Sequence, residues 1–277
     1  MWHRAPGLPD NAVSDTFLDS LVIGSYETQR REYWSVVLAA TAVTQQVAAV
    51  AAVAVASVLL YHGRVATSTV VTASLLVLAA GWSFCCFSAG RVLGGSLLRV
   101  GRQTTLLYVG VRGMSPLLAS LTATISSDTV LAVSVTLAVA HLYLHDYNFT
   151  AAASRNLSGT LSLSAAIGAS VLVSSRLPTP ECVFAHLIFC LVVFLLTPYI
   201  RHFVRARSIS MHVALTVALV AAPLPPLAAQ SSAAAVALVV VHLFILFACP
   251  LLFLHAQQFK LVVQGRWDEA PTDARAG

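Results

Sequence analysis

Charge is what this chain has least of. Aspartate, glutamate, lysine and arginine together make up 10% of its 277 residues, where a soluble domain carries about 25%. With 58% hydrophobic residues and a mean hydropathy of +0.82, a soluble fold of this length could not hide its apolar surface, whereas lipid would solvate it. Lysine is almost absent: Lys260 stands alone among arginines that are scattered along the chain. A nucleic-acid footprint needs a basic patch or stripe, so no nucleic-acid partner is expected. The five cysteines, Cys85, Cys86, Cys182, Cys190 and Cys249, sit mostly in apolar runs without metal-ligand spacing or a secreted disulfide pattern. They read as small buried apolar side chains. Residues 1–33 are polar and lack the apolar core of a cleavable signal. Glycine-rich phosphate loops, carboxylate pairs and nucleophile–base pairs are missing too. The residues therefore point to a chain that is not itself catalytic and needs no cofactor or metal.

What the chain does have is long apolar runs. A bilayer core about 30 Å thick takes roughly 20 helical residues to cross. Runs of that order cover 34–60, 66–89, 104–125, 129–147, 157–175, 181–200, 211–229 and 233–258. The expected fold is all-α, a polytopic membrane protein of about eight transmembrane helices occupying 34–259. A 1–33 segment precedes it and a 260–277 tail follows. The seventh run carries Pro223, Pro225 and Pro226 and must bend or break. In the first segment Val13, Phe17, Leu18 and Leu21 recur at helical spacing, with Ser14 to cap and Gly24 to stop a short amphipathic helix.

Eight crossings put both termini on one side. Only Arg64 and Arg176 then fall on the other side and Arg112 within a span; the remaining basic residues, Arg201 among them, fall on the terminal side. Basic residues favour cytoplasmic loops, so both termini are expected in the cytosol. The triplets at Asn148 and Asn156 would then be cytosolic and carry no glycan.

Ionisable groups at membrane depth are expensive and mark candidate sites. His141 and His145 stand one helical turn apart near the end of the fourth run, with Asp146 and Tyr147 at the interface. An HxxxH pair could begin an iron or zinc site, but two ligands do not make one. His141 is more readily an interhelical hydrogen-bonding group or a headgroup contact. Arg112, in LLYVGVRGMSPLL, lies about 12 Å from the expected cytosolic end of the third run, where a guanidinium could reach an anionic headgroup. Gln45 and Gln46 read as glue between helices, and Asp128, in TISSDTVL, as the cap of the fourth helix.

Taken together, LPDNAVSDTFLDSL (8–21), YWSVVLAATAVTQQ (33–46), GMSPLLASLTATISSDTVLAVSV (113–135), HLYLHDY (141–147), SGTLSLSAAIGASVLVSSRLP (158–178) and QGRWDEA (264–270) resemble, in order and spacing, the PIG-C family of phosphatidylinositol N-acetylglucosaminyltransferase subunits. The resemblance implies a multi-pass subunit in the endoplasmic reticulum membrane. Its complex begins glycosylphosphatidylinositol (GPI) anchor synthesis by moving N-acetylglucosamine from UDP-GlcNAc to phosphatidylinositol. It also implies that the nucleotide-sugar transferase fold belongs to a partner, PIG-A, and that PIG-H, PIG-P and PIG-Q are further partners. The expected role is a scaffold that presents the lipid acceptor, with Arg112, His141 and Asp146 at the headgroup and Asp128 as a structural turn. A secondary transporter built on the proline-broken run and a metal-dependent membrane oxidoreductase using the histidines are the alternatives.

Overall fold

The computed structural model describes residues 32–88, 94–147 and 157–257. The expected amphipathic helix in 1–33, the two Asn-x-Ser/Thr asparagines and the 260–277 tail lie outside those residues. Every element among them is helical: α1 (Tyr33–Tyr61), α2 (Thr67–Ser88), α3 (Gly94–Ser120), α4 (Ser127–Leu144), α5 (Leu157–Ser174), α6 (Pro180–Leu191), α7 (Thr197–Arg207), α8 (Ile209–Ala221), α9 (Leu224–Ala228), α10 (Ser232–Leu243) and α11 (Cys249–Gln257). A membrane interior offers the backbone no water to bond to, so each apolar run satisfies its own amides as a helix. Hydroxyls inside the runs do the same locally. Ser74, Ser134 and Ser170 each donate to the carbonyl four residues back, at 2.7 Å, and can therefore be buried without an outside partner.

Two wider turns join consecutive helices into single rods. Val192–Leu196 links α6 to α7 and Phe244–Ala248 links α10 to α11, both as π-helix. Each wide turn lies just before a proline, Pro198 and Pro250. Proline has no N–H to close its own turn and crowds the carbonyl four residues back, and one extra residue in the turn relieves both. Pro223 separates α8 from α9, so the seventh run is broken as expected.

Among the described residues six helical stretches are long and apolar enough to cross a membrane: Tyr33–Tyr61, Thr67–Phe84, Ser127–Leu144, Pro180–Arg207, Ile209–Ala228 and Ser232–Gln257. The apolar stretch of α5, Gly159–Ser174, is shorter. α3, which carries Arg99, Arg102 and Arg112, is not among the six.

Side-chain contacts give the packing direction. Gln46 meets Arg201 and His186 meets the Val53 carbonyl, so α1 and the α6–α7 rod run antiparallel. Thr41 meets His212 and Gln45 meets Thr216, so α1 and α8 run parallel. α6 is the central helix, with Val183, Ala185 and His186 fully enclosed. One apolar cluster gathers Leu60, Val70, Leu177, Cys182, Val183, Ala185 and Leu187; a second gathers Ala49, Val53, Ala166, Cys190, Val193 and Phe194. At Gly81 of α2 an added Cβ would collide with Ile200 Cδ1, so a larger residue there requires the Ile200 side chain on α7 to shift.

Candidate functional site

One group of buried polar residues draws on five helices. α1 contributes Thr41, Gln45 and Gln46, α4 His141, α5 Ser162, α7 Arg201, and α8 His212 and Thr216, all of them buried. On α1 the spacing explains this: Thr41, Thr44, Gln45 and Ala48 lie three or four residues apart and present one face to the bundle.

At the centre Arg201 Nη2 donates to Gln46 Oε1 at 2.5 Å, and that bond fixes much of what surrounds it. A guanidinium can only donate, so the Gln46 amide must turn its oxygen to Arg201 and its nitrogen the other way. The nitrogen stands 2.5 Å from His141 Nε2, which must then accept. His141 therefore carries its proton on Nδ1 and donates it to the Ser162 carbonyl at 2.9 Å. The Ser162 hydroxyl returns a bond to the His141 carbonyl at 3.0 Å. Four helices are locked by one polarity. Next to it Gln45 Nε2 donates to Thr216 Oγ1 at 2.7 Å, and Thr216 donates to the His212 carbonyl at 2.8 Å. Arg205, one turn beyond Arg201, donates to the Leu38 carbonyl at 3.3 Å.

The sequence-predicted residues divide between the two ends of the molecule. His141 is in the cluster, and His145 stacks edge-on against it with ring centroids 5.4 Å apart. Burial, aided by Arg201, holds the His145 imidazole at about 4; Asp146 pulls only weakly the other way. Burial likewise pushes the Tyr147 phenol up to about 12, and its hydroxyl donates to the Leu142 carbonyl at 2.6 Å. Both nitrogens of His141 are committed to Gln46 and Ser162, so its ring has no lone pair left for a metal. Among the described residues no three metal-ligating side chains gather.

Arg112 is elsewhere. It pairs with Glu181 at 3.3 Å, with both side chains about half exposed, and lies over the Phe184 ring at 5.8 Å. Glu181 opens α6, at the end of the bundle where the turns before α4 and α6 meet: Arg176 donates to the Thr122 carbonyl at 3.0 Å and to the Ile125 carbonyl. The expected position of Arg112 near the cytosolic end of its run is thus corrected. α3 begins at Gly94 rather than near residue 104, so Arg112 is closer to the helix's second end. The cap of α4 is corrected as well. Ser126 accepts from Thr129 N at 3.2 Å, and Asp128 sits inside the first turn, where a carboxylate favours the positive helix end.

Arg201 is the residue that sequence reasoning missed. The sixth run was expected to stop at 200, which placed Arg201 in a loop, yet Pro180–Arg207 forms one helical stretch and buries it to 3% exposure. The apolar run stops at 200 because the ionisable Arg201 and His202 follow it. The contrary signal is a stripe at helical spacing, His186, Cys190, Val193, Arg201 and Val204, all buried.

No solved structure matches this chain. Over residues 1–268 it matches the GPI2 family, described as phosphatidylinositol N-acetylglucosaminyltransferase. A Dictyostelium discoideum protein provisionally named as the PIG-C-type subunit of that enzyme is 33% identical over 97% of this chain and 77% of its own length. The human PIG-C subunit is 30% identical over 98% of this chain and 91% of its own. The Schizosaccharomyces pombe GPI2 subunit is 29% identical over 98% and 85%. On a family match covering nearly its whole length, the chain belongs to the PIG-C (GPI2) family of phosphatidylinositol N-acetylglucosaminyltransferase subunits.

Proposed function

We propose that this chain is a non-catalytic membrane subunit of the complex that transfers N-acetylglucosamine from UDP-GlcNAc to phosphatidylinositol, the first step of GPI-anchor synthesis. It resides in the endoplasmic reticulum membrane with both termini in the cytosol. There it holds subunits of the PIG-A, PIG-H, PIG-P and PIG-Q type and presents the lipid acceptor to them. The observation that carries this reading is the match of nearly the whole chain to relatives named as that transferase's subunits. The architecture supports it. In the cluster around Gln46 and Arg201 both nitrogens of His141 are committed to neighbouring helices, which suits a scaffold better than an acid–base centre. Its lipid-facing role falls to the end of the bundle that carries His141, Asp146 and Arg201. Arg112, turned to Glu181, belongs with the scaffold.

A gentle-detergent pull-down of the tagged chain from microsomes tests this. Transfer of labelled N-acetylglucosamine to phosphatidylinositol is expected in the pull-down and not with the purified chain alone. Transfer by the lone chain would make it catalytic, and none in either preparation would remove the assignment.

A further inference from the structure

We infer that Arg201 is the counter-charge for a phosphodiester headgroup bearing hydroxyls, which enters the bundle at the end where α7 finishes. This deepens the proposed presentation of the lipid acceptor and rests on it. A guanidinium stays charged in any protein environment, and at membrane depth an ionised group is retained where it serves a pathway or a ligand. Arg201 is 3% exposed. It donates to one neutral oxygen, Gln46 Oε1, and its Nε is buried without a partner. Among the described residues no carboxylate pairs with it. A buried cation lacking an anion is the costly half of an ion pair.

The surroundings say what sort of anion fits. Arg201, Arg205 and Arg207 run outward along α7 from buried to partly buried to exposed. Arg201 and Arg205 are four residues apart and share a face, so an anion arriving from the membrane surface meets one guanidinium before the other. The guanidinium fork matches phosphate oxygens. On α1, beside Gln46, Gln45 Oε1 is a buried acceptor without a partner. The cluster thus holds an unused donor on a cation and, on Gln45, an unused acceptor. A headgroup offering both phosphate oxygens and hydroxyl donors would engage the two. Phosphatidylinositol is such a headgroup. A choline phosphodiester has no hydroxyl to donate, and a carboxylate from a partner's helix would leave the Gln45 oxygen unpaired.

The test is thermal unfolding of the full chain in nanodiscs of phosphatidylcholine alone, or with a minor fraction of phosphatidylinositol or of phosphatidylserine. Soluble inositol phosphate and UDP-GlcNAc are added separately to the first. Phosphatidylinositol is expected to raise the midpoint more than phosphatidylserine does. Arg201→Gln should weaken that response at least about tenfold in lipid concentration. Should that variant fail to fold, Gln46→Glu serves instead. Its carboxylate supplies an internal partner for Arg201, and His141 can donate from Nε2 to it while Nδ1 accepts from the Ser162 hydroxyl, so the chain should fold and yet lose the phosphatidylinositol response. An undiminished response in Gln46→Glu overturns the proposal, as does an equal response to both anionic lipids. Stabilisation by UDP-GlcNAc or inositol phosphate rather than by lipid would identify a soluble phosphate as the ligand and equally reject the lipid. The readout needs no transferase activity, so an inactive pull-down would defeat the proposed function and leave this result standing.

Discussion

Gln46 and Arg201 stand 155 positions apart and meet at 2.5 Å, oxygen to guanidinium, with neither side chain exposed to more than a few per cent. The amide's other end faces His141, so one glutamine sets the polarity of a network across α1, α4, α5 and α7.

Removing that glutamine should cost more than removing the pair. Gln46→Leu leaves a buried cation with no partner and is expected to destabilise the chain by about 3 kcal/mol. The double variant Gln46→Leu with Arg201→Met takes the charge away too and should recover most of this, leaving about 1 kcal/mol for the unpaired His141 acceptor. Unfolding of the four members of the cycle in one detergent would show it. A double variant as unstable as the sum of the singles would mean that Arg201 has another partner.

His145 gives the chain an acid-sensitive point. Its folded value, about 4, lies below the ordinary value near 6.5, so the neutral ring is favoured by folding. Its contribution is complete above about 6.5 and is lost as pH falls towards 4, to a total of about 3 kcal/mol at most. The unfolding midpoint should drop across that window in wild type, and the drop should flatten in His145→Phe. An identical pH profile in the two would assign the acid sensitivity elsewhere.

Arg112 should matter little to transfer. Its pair with Glu181 is half exposed, and such pairs are worth about 0–1 kcal/mol. Arg112→Ala is expected to leave complex assembly intact and transfer within about twofold of wild type, a change of under 1 kcal/mol. A large fall in transfer with assembly preserved would return Arg112 to the headgroup role that its sequence context suggested.

The start of α4 separates a cap from a dipole effect. Ser126→Ala removes the hydroxyl that accepts from Thr129 N and should cost about 1 kcal/mol. Asp128→Asn removes only a first-turn charge and should cost about 0.5 kcal/mol. Thermal shifts of the two variants side by side check the order, and the reverse order would restore Asp128 as the cap.

The sequence by itself determined that this is an all-helical membrane chain, where most of its helices begin and end, and that Pro223 breaks one of them. Those features follow from local rules: apolar runs must satisfy their own backbone, and proline cannot donate. The same local rules misplaced Arg201 and Arg112. The sixth apolar run stopped at 200, but the helix carries on through the π turn and Pro198 to Arg207. The early start of α3 at Gly94 moved Arg112 towards the opposite end of the bundle. His141 and Gln46 were each legible as polar groups needing partners, but not as partners of each other. Which donor meets which acceptor depends on how helices 95 or 155 residues apart are rotated and packed. Only the tertiary structure decides that: serine and threonine hydroxyls can bond a carbonyl four residues back, but the partners of Gln46 and His141 are set by proximity across helices.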